Sequence, residues 1–266
     1  MTVSIHPSSL VDPEVSLGKN VHIGPFCIVK KGVQLGDNCI LQSHCVIEGK
    51  TTIGAGNTFG PFCALGLPPQ DKSYKGEETE VLIGENNIFR EYCSIHRGTT
   101  KENLKTVIGS HNFFMSYIHF GHDVVIGNNC IIANTVNFAG HVHLGDRCVL
   151  GGGTNISQFC RIGRGVYLGG GSGVDRDIPP FCTAYGNRIL LKGVNIIGLK
   201  RMGISKEVIS DMVDFFRQME SSHLSQRNFC QKFLIDYPSS SSSFALISEF
   251  IEFVQQSSLG IAGFMA

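Results

Sequence analysis

Large apolar side chains recur at every sixth position along most of the chain. One unbroken run covers eleven such positions: Ile5, Val11, Leu17, Ile23, Val29, Leu35, Leu41, Ile47, Ile53, Phe59 and Leu65. The phase returns at Ile83, Phe89 and Ile95, and a second unbroken run of twelve positions extends from Ile108 to Val174. An amphipathic helix would repeat every 3.6 residues and a half-buried strand every two, so neither element explains this period. A period of six predicts a short strand and a corner that repeat together.

This period predicts a left-handed parallel β-helix, because three six-residue repeats close one triangular coil in such solenoids. Residues 18 positions apart should therefore stack on one face, separated by the usual strand spacing of about 4.8 Å. We expect the solenoid to span residues 1–187, with polar loops at about 66–82 and 97–107, where the period breaks. Loops on a rigid scaffold commonly carry binding residues.

The six-residue period stops near Pro179 and Pro180, and helical spacing begins after Gly203. Ser205 can cap a helix whose apolar residues share one face, and two further helices are predicted at about 224–235 and 244–256. We therefore expect a small C-terminal α-helical domain at residues 188–266 that packs on the end of the solenoid.

Most of the ten cysteines lie two positions before a large apolar residue, where a strand turns its side chain inward. The eight at this position are Cys27, Cys39, Cys45, Cys63, Cys93, Cys130, Cys148 and Cys160. No CxxC pair is present. We interpret these cysteines as small buried hydrophobic residues and not as disulfides or zinc ligands.

Charge and hydropathy exclude several classes of function. The chain has 22 basic and 22 acidic residues, so net charge gives no reason to expect nucleic acid or an anionic membrane as a partner. The first residues lack the pattern of a signal peptide, and no apolar run approaches the roughly 20 residues of a membrane span. We expect a cytoplasmic protein, in agreement with reduced cysteines.

Polar residues with catalytic potential concentrate between His119 and Asp123. The 18-residue coil should place Gly140 one rung above His122, and His141 above Asp123. His122 could act as a general base, with Asp123 fixing its tautomer and stabilising the imidazolium. The backbone N–H of Gly140 could stabilise an oxyanion. No activated serine or cysteine is evident, so direct attack by a substrate hydroxyl fits this set best.

The segments around these residues resemble the UDP-N-acetylglucosamine O-acyltransferase family. The motifs that carry the resemblance are PPQDKSYKGEET, IHRGT, HFGHDVVIGNNC, FAGHVHLGD, SQFCRIG, GGGSGVDRDIPPF and GVNIIGLKRMGIS, and the similarity covers about residues 3–220. It implies transfer of an (R)-3-hydroxyacyl chain from acyl carrier protein to the 3-hydroxyl of UDP-N-acetylglucosamine, the first step of lipid A biosynthesis. It implies no permanently bound cofactor, since phosphopantetheine on the carrier holds the acyl donor. It also implies a homotrimer with active sites between adjacent β-helices.

The resemblance assigns roles to individual residues. His122, Asp123 and Gly140 match the general base, its supporting acid and the oxyanion-binding glycine. Gly170 matches an acyl-length ruler, and a glycine there implies a deep pocket and a long acyl chain. The matches to substrate-binding positions are Gln70, Asp71, His119, His141, Gln158, Asn195 and Arg201.

Three positions depart from the usual family pattern. Ser73 stands where a lysine is usual, and Ser157 and Arg188 stand where histidines are usual. These positions lie in regions that contact substrate, so the same transfer to a 3-amino sugar analogue remains an alternative.

Other classes of protein remain as competing hypotheses. The related N-acyltransferase of the same pathway normally carries an extra domain before the β-helix, whereas here the repeats begin at Ile5. Acetyl-CoA-dependent acetyltransferases lack the GHD, AGH and GLKR set. A β-helical carbonic anhydrase binds zinc with three histidines between subunits. Its typical H-x4-H pair differs from the H-x2-H of His119 and His122, and we expect no metal site. A structural solenoid without catalysis would not need His122, Asp123 and Gly140 in register.

Overall fold

In the computed structural model, which describes residues 2–265, short strands wind into a parallel β-helix. The strands of the regular coils are β1 Ser4–Ile5, β2 Leu10–Val11, β3 Ser16–Leu17, β4 His22–Ile23, β5 Ile28–Val29, β6 Val33–Leu35, β7 Ile40–Leu41, β8 Val46–Ile47, β9 Lys50–Ile53, β10 Thr58–Phe59, β11 Ala64–Leu67, β12 Glu80–Ile83, β13 Ile88–Phe89, β14 Ser94–His96, β15 Lys105–Ile108, β16 Phe113–Phe114, β17 His119–Phe120, β18 Val125–Ile126, β19 Ile131–Ile132, β20 Asn137–Phe138, β21 His143–Leu144, β22 Val149–Leu150, β23 Asn155–Ile156, β24 Arg161–Ile162, β25 Tyr167–Leu168 and β26 Gly173–Val174.

Every third strand joins the same sheet, so the solenoid has three faces. Sheet A begins with β1, β4 and β7, sheet B with β2, β5 and β8, and sheet C with β3, β6 and β9. Strand β17 pairs with β20 through His119 with Asn137 and Phe120 with Phe138, which is the predicted offset of 18 residues. The period of six therefore sets the register of the sheets directly.

Two coils are longer than the others because loops interrupt them. Thr58 pairs with Ile88, and Ile88 pairs with Phe113, so these pairings span 30 and 25 residues. The first loop, residues 68–79, joins β11 to β12, and the second loop, residues 97–104, joins β14 to β15. Both loops lie within the predicted polar segments and are shorter than predicted, because strand pairing extends into the ends of each segment.

In the interior of the solenoid, side chains of the same type stack in columns along successive coils. The rings of Phe59, Phe89 and Phe114 stack with centroids 4.9 and 4.7 Å apart. All ten cysteines are buried and unpaired, as predicted for the eight inward positions. A buried column of Asn57, Asn87 and Asn112 hydrogen-bonds to backbone groups of neighbouring coils, which the apolar pattern did not reveal. These amides satisfy polar groups that the tight corners turn inward.

The C-terminal part combines strands with helices. Strand β27 (Cys182–Tyr185) extends sheet A and pairs antiparallel with β28 (Leu190–Val194), which β29 (Gly263–Phe264) joins in parallel. The helices are α1 Ile196–Arg201, α2 Lys206–Ser221, α3 Gln226–Asp236 and α4 Phe244–Gln255. The segment 188–266 is therefore not all helical, because β28 and β29 return to the last coil of the solenoid.

Helix α2 is capped as the sequence predicts, and a side-chain contact anchors α4 to the solenoid. The Ser205 hydroxyl accepts a hydrogen bond from the backbone N–H of Val208 at the start of α2. Arg164 of the solenoid donates to both oxygens of Glu249 on α4, at 2.8 to 3.0 Å. Within residues 2–265, every helix is too short or too polar to cross a membrane.

Candidate active site

The segment from His119 to Asp123 forms β17 and the corner that leads from sheet B to sheet C. Asp123 takes the left-handed backbone conformation with φ of 60°, and His141 repeats it one coil later with φ of 64°. His119 lies in β17 itself, because the corner begins only after Phe120. The tight corner leaves the side chains of His122 and Asp123 nearly buried, at 5% and 1% exposed.

His122 and Asp123 form a hydrogen-bonded pair that the second loop supports. The Asp123 Oδ2 atom lies 2.9 Å from His122 Nδ1. Thr99 donates its backbone N–H to Oδ1 at 2.8 Å and its hydroxyl to Oδ2 at 2.6 Å. Burial would raise the pKa of the Asp123 carboxyl, but hydrogen bonds from His122 and Thr99 outweigh burial and hold this pKa below its usual range. The ionised carboxylate then holds Nδ1–H of His122 and leaves Nε2 free to accept a proton.

Thr99 was not among the predicted site residues. It stands at the end of the IHRGT motif, in a loop whose conformation the six-residue period cannot predict. The motif itself was the available signal, since it runs from the last two residues of β14 into the second loop.

Gly140 lies against the imidazole of His122, as the coil spacing predicted. A Cβ atom at Gly140 would come within 2.5 Å of His122 Cε1 and 2.7 Å of Nε2, so a larger residue would displace the ring. The N–H groups of Ala139 and His141 donate to carbonyls of Ile156 and His122. Among residues 2–265, the N–H of Gly140 between them donates to no acceptor. An unused N–H beside the imidazole is suited to stabilise an oxyanion.

His141 connects this pair to a charged residue of the second loop. Its Nε2 atom lies 3.8 Å from Asp123 Oδ2, and its Nδ1 lies 2.8 Å from Glu102 Oε2. The other oxygen of Glu102 lies 3.0 Å from Nε2 of His143, which begins the next strand, β21. Glu102 thus ties the second loop to two histidines of the solenoid.

Three ligand atoms from His122, Asp123 and His141 lie within 4.8 Å of one another and could in principle hold a metal ion. The oxygens of Asp123 are already engaged by other groups in this arrangement. Both oxygens of Asp123 accept hydrogen bonds from Thr99, and Oδ2 also contacts His122 Nδ1. The donor set fits a histidine base with an orienting carboxylate better than a zinc site.

His119 contributes a neutral imidazole to the same surface. Its Nδ1 lies 2.9 Å from the hydroxyl of Ser94 on β14. Burial, followed by repulsion from His96 and His122, lowers the pKa of His119 to about 4. His119 is therefore uncharged near neutral pH.

His119, His122 and Gly140 line an open groove on sheet B with a volume of about 450 Å³. The predicted residues that line it are Gln70, His119, His122, Gly140 and Gln158, and Ser157 also belongs to its wall. Asp71 lies at its edge, with Oδ2 4.0 Å from His122 Nε2. The structure thus brings together predicted residues from the first loop and three successive coils.

Asn195 and Arg201 lie away from this groove, in contrast to the other predicted substrate-binding residues. They line a second groove of about 830 Å³ on sheet A, together with Ile131, Val149 and Tyr167. The Asn195 side chain accepts a hydrogen bond from Gly198 N–H as the N-cap of α1 and donates to the Gly165 carbonyl. Its amide is therefore engaged in holding α1.

Of the three departures from the family pattern, Ser157 lies in the wall of the sheet B groove, whereas Ser73 and Arg188, like Gly170, line neither groove. A Cβ at Gly170 would meet the Gly152 carbonyl at 3.1 Å. Ser73 donates its N–H and its hydroxyl to Asp71 Oδ1, each at 2.8 Å. Arg188 forms an ion pair with Asp175 at 3.1 Å.

Comparison with known proteins identifies related chains. Residues 177–262 match the family described as Udp N-acetylglucosamine O-acyltransferase, domain 2, and residues 14–49 and 105–140 match the bacterial transferase hexapeptide family. The chain is 41% identical over 257 residues to acyl-[acyl-carrier-protein]–UDP-N-acetylglucosamine O-acyltransferase of Thermodesulfovibrio yellowstonii, covering 97% of this chain and 98% of that protein. The protein of the same name from Rickettsia bellii is 49% identical over 229 residues, covering 86% and 80%.

A solved structure supports the same relationship. The structure of LpxA from Acinetobacter baumannii matches with a TM-score of 0.93 at 38% identity and covers 97% of this chain and 99% of that one. This likeness, with the hexapeptide matches, confirms the predicted left-handed parallel β-helix followed by a small helical part.

The low pKa of His119 predicts a specific loss of stability in acid. The unfolded histidine has a pKa of about 6.5, so between about pH 6.5 and 4 the unfolded chain binds more protons at this position than the folded chain. The free energy of unfolding should therefore fall as pH decreases through this window. Replacing His119 with Asn should remove this contribution, so the variant should lose less stability than wild type when urea unfolding is compared at about pH 7 and pH 5. His223→Asn, at an exposed position, is the control, and an equal acid loss in His119→Asn and wild type would contradict the prediction.

Proposed function

This chain belongs to the UDP-N-acetylglucosamine O-acyltransferase family, and we propose that it transfers an (R)-3-hydroxyacyl chain from acyl carrier protein to the 3-hydroxyl of UDP-N-acetylglucosamine. This is the first step of lipid A biosynthesis. The names of the relatives supply the donor and the acceptor. The observation that carries the proposal for this chain is the buried His122–Asp123 pair beside the unused N–H of Gly140.

The geometry supports a single displacement at the thioester carbonyl. Nε2 of His122 removes the proton from the sugar 3-hydroxyl as the oxygen attacks the acyl carbon. The N–H of Gly140 stabilises the oxyanion of the tetrahedral intermediate, and Asp123 stabilises the imidazolium. Collapse of the intermediate breaks the C–S bond, and the departing pantetheine thiolate takes the proton from His122. The products are the ester and the free thiol of the carrier protein, with no bound cofactor needed.

We propose a homotrimer in which the two grooves of neighbouring copies meet. The sheet B groove holds His122, whereas Arg201 lies in the sheet A groove of the same chain. If sheet B of one copy faces sheet A of the next, Arg201 can reach the phosphates of a nucleotide sugar whose sugar lies at His122. Closed rings of this kind use the same two surfaces in every copy.

Exposed apolar side chains support this arrangement. A stacked column of aromatic rings follows the corner between sheets A and B, with centroids 4.7 to 5.0 Å apart: Phe26, His44, Phe62, Tyr92 and Tyr117. On sheet A, Ile40, Ile88 and Ile131 are also exposed. Contiguous exposed apolar surface of this type is typical of an interface between proteins.

Further parts of the proposal concern the acyl chain, the acceptor and the compartment. We propose that Gly170 leaves room for a long acyl chain, as the resemblance to the family implies, and a Cβ there would come within 3.1 Å of the Gly152 carbonyl. The hydroxyl acceptor is favoured because the relatives of this chain are named as O-acyltransferases. A cytoplasmic site of action agrees with ten unpaired cysteines.

The reaction is tested by incubating the protein with UDP-N-acetylglucosamine and a panel of 3-hydroxyacyl carrier proteins. We expect mass spectrometry to detect a product heavier by one acyl group, with the longer chains preferred. Replacing His122 with Ala should lower turnover by about 10²- to 10⁴-fold, as for a lost general base, while His223→Ala should retain activity. Near wild-type turnover of His122→Ala would contradict the assignment. Product only with the 3-amino analogue of the acceptor would replace the ester reaction by amide formation.

The shared site is tested by mixing two inactive variants. His122→Ala and Arg201→Ala should each be nearly inactive alone, because every site in each trimer lacks one group. Co-expression in equal amounts should restore about a quarter of wild-type activity, since each mixed ring contains one intact site. A site built within one chain would give no restoration, and that result would contradict the trimer proposal.

A further inference from the structure

Asp71 projects from the first loop toward the base of the proposed reaction. Its side chain is only 11% exposed, and its Oδ2 lies 4.0 Å from His122 Nε2. Ser73 fixes the carboxylate by donating two hydrogen bonds to Oδ1. The other oxygen, Oδ2, therefore faces the nitrogen that must accept the proton of the sugar hydroxyl.

An uncompensated carboxylate at this position would impair a base. A negative charge within about 4 to 6 Å favours the protonated form of an imidazole. Protonated Nε2 could also donate to Asp71 Oδ2, which would occupy the position needed by the acceptor hydroxyl. Because Asp123 already holds the other nitrogen of the ring, His122 would be enclosed between two anions.

Lys101 of the second loop supplies the compensating charge. Its ammonium group forms an ion pair and a hydrogen bond with Asp71 Oδ2, the same oxygen that faces His122. The hydrogen bond from Lys101, followed by those from Ser73, holds the pKa of the Asp71 carboxyl well below its usual range. Glu102, the next residue, contacts His141 and His143, so adjacent residues of the second loop attach it to the first loop and to the solenoid.

We propose that Lys101 is a positioning residue that holds Asp71 away from His122 and cancels its charge, and thereby keeps Nε2 free for the acceptor hydroxyl. This proposal rests on the role of His122 as the base in the proposed function. The ion pair also joins the two loops, because each loop contributes one member of it.

The charge around His122 comes from several elements besides this pair. The groups that face it or act on it are Asp123 on the same corner, His141 on the next coil, His96 and His119 on sheet B, Asp71 on the first loop and Lys101 with Glu102 on the second loop. Lys101 and Asp71 can be changed without touching the others.

The test measures protonation of His122 directly, by NMR of protein labelled at histidine Cε1, with the His122 signal assigned from His122→Ala. Lys101→Met should raise the midpoint of this titration by about one pH unit, and the acid limb of kcat/KM should move with it. Lys101→Arg keeps the charge and should leave the midpoint unchanged. In Lys101→Met combined with Asp71→Asn, the midpoint should return toward wild type. Asp71→Asn alone should lower it, because Lys101 is then uncompensated.

Lys50→Met is the matched control, because Lys50 is an exposed lysine whose ion pair is with Glu80 at the base of the first loop, 3.3 Å away. This variant should leave the His122 titration unchanged. An unchanged midpoint in Lys101→Met, or a shift that persists after Asp71→Asn is added, would overturn the proposal. The titration of His122 does not depend on turnover. If the wild-type protein transferred no acyl chain, the proposed function would be contradicted, and the titration would still show whether Lys101 acts on His122.

Discussion

The parallel backbone ladder between successive coils is the constraint on which the site depends. Each coil repeats the position of the coil before it, so residues 18 apart in sequence become neighbours in space, as His119 and Asn137 do. Gly140 is brought against the His122 ring in this way, one coil above it. Because every coil is hydrogen-bonded to the next, the corner cannot shift without breaking ladder bonds. The proposed base and the proposed oxyanion donor are therefore held at a fixed separation by the solenoid itself.

The two loops add what the solenoid cannot provide. The regular coils supply His122, Asp123 and Gly140, but the groups that control their charge come from the interrupted coils. Thr99 donates two hydrogen bonds to Asp123, and the ion pair of Asp71 and Lys101 lies beside His122. A rigid frame thus fixes the reacting groups, and two short loops set the electrostatic environment in which they work.

The sequence predicted the parts of the site that follow from the period. The positions of Gly140 above His122 and of His141 above Asp123 required only the 18-residue repeat, and both hold in the structure. Thr99 and Lys101 could not be placed, because loop conformations depend on particular side-chain contacts and not on a repeat. Arg201 could not be placed either, since the groove it lines lies on another face of the same chain. The cap role of Asn195 could not be predicted either, because α1 lies beyond the end of the six-residue period.

We propose that His122 of one copy and Arg201 of the next act on one nucleotide sugar. A crystal structure of the protein with UDP-N-acetylglucosamine tests it most directly. We expect the sugar 3-hydroxyl within hydrogen-bond distance of His122 Nε2 and the phosphates beside Arg201 of a neighbouring copy. A nucleotide sugar bound by residues of a single chain, or with its 3-hydroxyl away from His122, would contradict the account.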